Sequence, residues 1–563
     1  MKTVTHSAQF CVIGGGMAGL CAALAAARHG VKTIIMQDRP VFGGNASSEI
    51  RMHVCGSHGK DNRETGICEE LFLENFAMNP NLSFSVWDSV LYGKALTQEN
   101  LTFLLNCTCQ KAEVNGGVIK SVTGWTLNSE TYHIINADYY ADCSGDSILA
   151  PLTGAEYMYG REAKSDFGET IPPDVADSRT MGMSCLIMGR ETDHPVPFKA
   201  PSWAYKIDGS KFKSKGYGRD TNFWWIEYGG MGDCIHDTDK CRDELMKIAF
   251  GVWDFVKNGE KTDFENFELD WVGFLPGKRE SRRYVGDHVI TQNDVESGGN
   301  FPDTVAYAGW TMDDHFPEGF YFDGGHPTIY HPAPTPWTIP WRALYSKNIK
   351  NLMFAGRNIS VTHAALSSSR VMSTCAILGQ AVGTAAYVMT KQGSSPKTLD
   401  IDFLQQTLMD DDCFLPGVKR KLPELTEKAR LDEKYALLKN GISRGEQNVC
   451  ILKKGDAPQY VFEKPEFING ITLVFDSDLN RPFHNMPSHY YLGETRFRTP
   501  KTLIKDFDIE LTLENGSTEK IEIRGNYQRF VRLCVNKKAV SARLIPLCTH
   551  GCEDFRVFAF ELF

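Results

Sequence analysis

From Gln9 to Met36 the chain reads QFCVI, then GGGMAG, then LCAALAAARHG, then VKTIIM. A strand-length apolar run, a glycine-dense turn, a small-residue helix and a second apolar run make half of a parallel βαβ unit, an order few other folds accommodate. Gly14, Gly16 and Gly19 stand as G-x-G-x-x-G directly after the strand and opening the helix, the context in which that spacing has a mechanism. Gly14 permits the tight turn, Gly16 lets backbone approach a pyrophosphate, and Gly19 lets helix pack on strand. The helix start at Met17 and Ala18 supplies N–H donors and a positive dipole end. The residue that holds the adenosine ribose is expected roughly 20 positions on and is usually acidic. Here the slot falls on Gln37, followed by Asp38 and Arg39. Gln37 can bond a ribose hydroxyl through its carbonyl oxygen, without charge assistance.

At 563 residues the chain exceeds what one core usually serves, so two to four domains are expected. Apolar residues at 42 % and charged residues at 23 % are ordinary for a globular protein, and the net charge of -10 leaves no basic footprint for nucleic acid. The start lacks a basic-then-apolar leader and no stretch approaches the roughly 20 apolar residues of a spanning helix, so a cytoplasmic protein without a membrane partner is expected. Sixteen scattered cysteines without a CxxC pair read as free thiols in a reducing compartment. His53, Cys55, His58 and Cys68 match no paired-ligand spacing, and no metal is expected.

The fold class is α/β: a Rossmann-like domain with a β-meander, an inserted α+β cap and a C-terminal β-sandwich-like domain. Residues 1–154 form the first part of the dinucleotide domain. Within them, 101–143 alternate in short β-branched runs with a hairpin at Asn115-Gly116-Gly117. Residues 155–270 read as an inserted substrate domain with a helix over Lys240–Lys257. Residues 271–395 return to strand and a long small-residue helix, 396–448 to a charged helical connector, and 449–563 to strands, with a hairpin at Asn515-Gly516.

Three segments carry a resemblance. QDRPVFGGNASSEIR places the paired glycines Gly43 and Gly44 after the second strand; ADYYADCSGDSILAPLTGA ends a strand in a small-residue turn; NLMFAGRNISVTHAALSSSRVMSTCAILGQAVGTAAY joins a last strand to a long helix. Over roughly residues 8–395 the chain resembles the FAD-dependent oxidoreductases of the glutathione-reductase and fumarate-reductase superfamily. The resemblance implies FAD as cofactor, held also by Asn45, Ala46, Ser47, Ser48, Ser144, Gly145, Asp146, Gly356, Arg357, Asn358, Arg370, Val371 and Met372. Two positions depart from the family: no acid stands at the ribose slot, and Gly356-Arg357 replaces the frequent Gly-Asp. No second G-x-G-x-x-G follows a strand, so no built-in NADPH domain is expected.

The cofactor performs the redox step while the protein orients substrate and handles protons and charge. By resemblance Asn45 to Arg51 and Thr362 to Met372 lie at the flavin ring, which places Arg51 and His363 there, with His53, Tyr284 and Arg279 as further catalytic candidates; a histidine titrates where alcohol oxidation needs a base. The C-terminal stretches ITLVFDSDLNRP and CEDFRVFAFELF resemble a discoidin-type, carbohydrate-binding sandwich. The leading expectation is hydride transfer between a small polar substrate, a sugar or glycoside derivative, and the flavin. The alternatives are a fumarate-reductase-like reductase of an unsaturated acid and a flavin-containing carbohydrate-binding protein. The electron acceptor is left unnamed and a homo-oligomer is allowed.

Overall fold

A computed structural model describes residues 1–212, 215–218, 222–259, 263–482, 484–486 and 498–563. Its centre is a five-stranded parallel sheet in the spatial order Leu352–Phe354, Tyr139–Asp142, Phe10–Ile13, Thr33–Met36, Leu101–Leu104. Every residue of Phe10–Ile13 and Thr33–Met36 is buried, because the helix Met17–Arg28 covers one face of the sheet and the antiparallel strands that follow Leu104 cover the other, Gly124 closing on Met36. The strand order reverses beside Phe10–Ile13. In such sheets a crevice opens there, outside the carboxyl ends of the strands.

Leu101–Leu104, expected in the meander, belongs instead to this sheet. The helices Ile67–Met78 and Phe84–Thr97 form the crossover that returns it parallel to Thr33–Met36. The meander proper is Cys107–Asn115, Val118–Thr126 and Thr131–Asn136, its first turn made by Gly116 and Gly117, both left-handed. Lys2–Ser7 joins it as a parallel edge strand.

The helix Met372–Gln392 packs along Met17–Arg28 so closely that small residues are obligatory. A Cβ on Gly379 would lie 1.9 Å from the Ala18 carbonyl oxygen, and one on Gly383 would lie 2.1 Å from that of Ala22. This helix also corrects the expectation of no stretch of spanning length: it is long and apolar enough, yet 89 % of its apolar window is buried inside the protein.

The cap is built on the helix Thr238–Asn258 and short antiparallel pairings. One three-stranded sheet sets Met183–Ser184 between Glu227–Tyr228 and Gly277–Lys278, so residues beyond 270 contribute to it. Met312–His315 pairs with Thr328–His331 over the crevice. The connector helix Ile401–Asp410 is capped by Asp400, whose carboxylate accepts from the Phe403 N–H at 3.0 Å. The C-terminal part is a six-stranded, all-antiparallel sheet in which the long strands Gln459–Phe475 and Phe530–Thr549 serve both halves. It has its own core, including Tyr460, Phe475, Phe507 and Phe560.

Candidate active site

At the switch point lies a cavity of about 680 Å³ that runs from the glycine turn, past the ends of Tyr139–Asp142 and Leu352–Phe354, to the underside of the cap. That volume suits an extended cofactor and a small ligand beside it. Gly14 is left-handed (φ +100°), and a Cβ there would lie 2.5 Å from the backbone of Cys143 and Ser144; one on Gly19 would lie 1.8 Å from the Gly14 carbonyl oxygen. Both glycines answer to the protein's own backbone. Gly16 differs, because a Cβ there would meet only the Gly44 Cα, at 3.8 Å. Its free side faces the cavity.

Two helices aim their N-termini into this space. Met17–Arg28 and Met372–Gln392 each lack a side-chain cap and an acid in the first turn, and Gly16, Met17, Ala18, Val371 and Met372 line the wall. Uncapped N–H groups at a positive dipole end favour anionic and acceptor groups. Between them Asp146 accepts from Lys278 Nζ (2.7 Å), Ser281 Oγ (2.9 Å) and Arg357 Nη2 (2.6 Å). Burial works against its charge, but Arg357 and Lys278 outweigh that and hold its carboxyl down at about 2. Arg357 Nε and Arg370 Nε are buried without a hydrogen-bond partner among the described residues, leaving guanidinium donors for a ligand. The cradle, the two helix ends and these donors fit a flavin dinucleotide.

Most residues expected at the cofactor lie on this wall: Gly14, Gly16, Met17, Ala18, Gln37 and Asp38; then Arg39, Gly43, Gly44, Asn45, Ser144 and Gly145; and Asp146, Gly356, Arg357, Arg370, Val371 and Met372. Five others stand behind it. Gly19 packs on the turn; Ala46, Ser47 and Ser48 turn toward the helix Phe84–Thr97, where the Ala46 carbonyl accepts from Trp87 and the Ser48 N–H donates to Asp88. Asn358 ties two strand ends together by donating to the Asp142 carbonyl. Gln37 reaches the wall, but its carbonyl oxygen accepts from the Gly15 N–H at 2.7 Å and its amide donates to the Val41 carbonyl at 3.3 Å. The side chain therefore braces the glycine turn, and the exposed carboxylate of Asp38 beside it, 3.9 Å from Arg39 Nε, is the acid on the wall at the ribose end.

The catalytic candidates separate sharply. His53 and Arg279 line the cavity; Arg51, Tyr284 and His363 do not. Arg51 lies against Phe84 and Trp271 rings. Tyr284 is buried, donates to Asp142 at 2.6 Å and stacks on Phe354. His363 is 1 % exposed, with Nδ1 2.9 Å from Glu280 and Nε2 3.1 Å from Asp314. Burial disfavours its charged form, but those carboxylates prevail and hold it up at about 10, so it is no base at neutral pH. It belongs to an interior ionic network, in which Arg283 joins Glu280 and Glu162, that fastens the cap to the helix His363–Ser369.

A second histidine on the wall, besides His53, is His315, which sequence reasoning missed. Its Nδ1 lies 2.8 Å from Glu227 and its Nε2 3.3 Å from Asp313. Arg370 Nη2 donates to Asp313 at 3.2 Å, and Arg279 Nη1 lies 3.5 Å from Glu227 while its other bonds go to the Gly182 and Trp224 carbonyls. Trp224, Trp310 and Tyr330 complete this lobe. The signal available was the run WTMDDHF, polar residues between aromatics. It pointed to no element, because the hairpin that carries it forms only against the cap.

Comparison with known proteins accords with this geometry. The profile of a family described as "FAD dependent oxidoreductase" matches residues 9–408. Similar solved structures include a geranylgeranyl bacteriochlorophyll reductase-like protein from Thermoplasma acidophilum (11 % identity, 72 % of this chain and 84 % of that one, TM-score 0.31). They also include the E. coli quinol fumarate reductase FrdA (12 %, 73 % and 74 %, TM-score 0.28). The C-terminal part is similar to a family 32 carbohydrate-binding module from Streptococcus pneumoniae EndoD (14 %, 23 % and 82 %, TM-score 0.18). No curated protein matches the chain.

Proposed function

The chain belongs to the FAD-dependent oxidoreductase family, and from that premise we propose that it oxidises a hydroxyl group of a neutral sugar or glycoside. The observation that carries this reading is the charge balance of the cap-side wall. Arg279 is offset by Glu227 and Arg370 by Asp313, and aromatic rings of Trp224, Trp310 and Tyr330 stand around them. Paired charges offer each hydroxyl of a polyol both a donor and an acceptor, and ring faces suit the apolar face of a pyranose. An unsaturated acid would instead need a cation in excess, and in this lobe, among the described residues, Arg279 and Arg370 are already offset by Glu227 and Asp313.

FAD held by the glycine turn and the two helix N-termini would supply the hydride acceptor. The protein's part is proton and orientation. His315 stands on the cavity wall with Nδ1 2.8 Å from Glu227 and Nε2 3.3 Å from Asp313, and this histidine–carboxylate group is the one placed to take up a substrate hydroxyl proton. Arg279 and Arg370 fix neighbouring hydroxyls, and His53 lines the same space. The test is anaerobic flavin reduction across neutral sugars, glycosides, polyols and carboxylates. Bleaching by a sugar or glycoside is the expected result; bleaching by none of them, or reoxidation of the chemically reduced flavin by an unsaturated acid alone, would overturn it.

A further inference from the structure

The C-terminal sheet is joined to the flavin site by more than the connector. Residues 51–66 carry His53 and Cys55 on the cavity wall, yet contain no helix or strand of their own. Such a segment keeps its shape only through what it touches. On the cavity side it is held by the Ser373 N–H, which donates to the Cys55 carbonyl at 3.0 Å, and by the His58 N–H, which donates to the Gly309 carbonyl at 2.9 Å.

Its other side is held by residues that follow the strand Gln459–Phe475. The Asp61 N–H donates to Asn480 Oδ1 at 2.8 Å and Arg63 Nε donates to the Leu479 carbonyl at 3.1 Å. That segment is itself anchored on the helix Ile67–Met78: Arg481 donates twice to Glu69, at 2.7 and 2.6 Å, and Ser477 once, at 2.6 Å. From this anchor His484 reaches Gly56. A Cβ on Gly56 would lie 2.8 Å from His484 Nε2, 2.4 Å from Glu64 Oε2 and 2.9 Å from Ser373 Cβ, so the imidazole edge and the Glu64 carboxyl close on the glycine's bare face. Glu64 Oε1 meanwhile accepts from the Ser57 N–H at 2.8 Å.

We propose that His484 is a positioning residue for the flavin site, acting through Gly56 and Glu64 to set the segment that presents His53 and Cys55. The C-terminal sheet is then a working part of the oxidoreductase, not a detachable recognition module. Burial first, and the cations Arg63 and Arg481 next, hold His484 well below the usual histidine range, so its ring is neutral and adds no third positive charge beside those arginines.

The role rests on the reading that this cavity takes FAD and substrate, and its exchange test needs no substrate. Hydrogen exchange of the FAD-loaded full chain, resolved by peptide, compares the wild type with His484→Ala and His484→Gln. His484→Ala should keep its flavin and its thermal midpoint while residues 52–62 exchange roughly tenfold faster, the loss of a buried packing contact whose Nε2 edge has no hydrogen-bond partner among the described residues. His484→Gln, which restores a polar edge of similar reach, should return exchange toward wild type. With any sugar that reduces the flavin, His484→Ala should raise KM more than it lowers kcat. Unchanged exchange over 52–62 in folded His484→Ala would overturn the proposal, as would a rise spread equally over the strands Gln459–Phe475 and Phe530–Thr549. Should His484→Ala fail to fold, Gly56→Ala approaches the same contact from the other side and must produce the same local signature. A panel without a reducing sugar would count against the substrate reading and leave the exchange result to decide this one.

Discussion

Gly16 separates what the glycine turn does for the protein from what it does for the cofactor. In Gly16→Val the branched side chain would extend from a backbone of ordinary φ (-65°) into the cavity, with only the Gly44 Cα near its first carbon, at 3.8 Å. The protein itself has no reason to reject it. A dinucleotide pyrophosphate does, because it must come within hydrogen-bond distance of the N–H groups that open the helix Met17–Arg28. Losing two such charge-assisted bonds, at about 1.5–3 kcal/mol each, comes to about 3–6 kcal/mol. That corresponds to a roughly 10²–10⁴-fold weaker FAD complex. The assay is flavin content of the purified protein, followed by titration of apoprotein with FAD and thermal melts of the apo form. Gly16→Val should melt like wild-type apoprotein and take up little flavin. Gly14→Ala and Gly19→Ala are the contrast: their methyl groups would meet backbone at 2.5 and 1.8 Å, so both should lower apo stability itself. A Gly16→Val protein that holds stoichiometric FAD at wild-type affinity would refute the assignment of this turn to the pyrophosphate.

His315→Gln should leave FAD bound and lower substrate-driven flavin reduction by roughly a hundredfold or more, the usual cost of losing a general base; stopped-flow reduction with the best sugar of the panel measures it. His363→Ala should act on stability instead, costing about 3–5 kcal/mol in denaturant melts because Asp314 loses this cation and Glu280 is left with Arg283. The same residue sets a pH dependence. Its folded value of about 10 lies above the unfolded one near 6.5, so its stabilisation is complete below pH 6.5 and gone once pH passes 10. In between it declines by up to about 1.4 kcal/mol per pH unit, a slope that melts of wild type against His363→Gln should isolate. Asp38→Asn should weaken FAD binding about tenfold in apoprotein titrations by removing one charge-assisted contact. Gln37→Glu should bring no gain, because the carboxylate loses the donor that now satisfies the Val41 carbonyl.

The local order of residue types was enough to define the flavin end of the site. A strand, G-x-G-x-x-G and a helix of alanines have one common solution, and the later segments at Gly43-Gly44, Gly145-Asp146 and Gly356 fall at the ends of strands that any such sheet must align beside Ile13. The small residues of Met372–Gln392 likewise announced a close helix contact before its partner was known, since only glycine tolerates a backbone 2 Å away. The substrate end was not legible in this way. His363 and His315 are both histidines beside acids in sequence or space, and only the packing decides that His363 is locked between Glu280 and Asp314 in the interior while His315 faces the cavity. Gln37 sits in the ribose slot by spacing, yet the 2.7 Å bond to Gly15 gives it another task. His484 lies more than 400 residues from Gly56, and no pattern along the chain connects them. Local periodicity determines which segments become strands and helices and where a backbone must approach closely, because those are properties of neighbours in the chain. Which charged side chain is left open to a ligand depends on which partners arrive from elsewhere to neutralise it, and that is decided only when the sheet, the cap and the C-terminal strands have packed together.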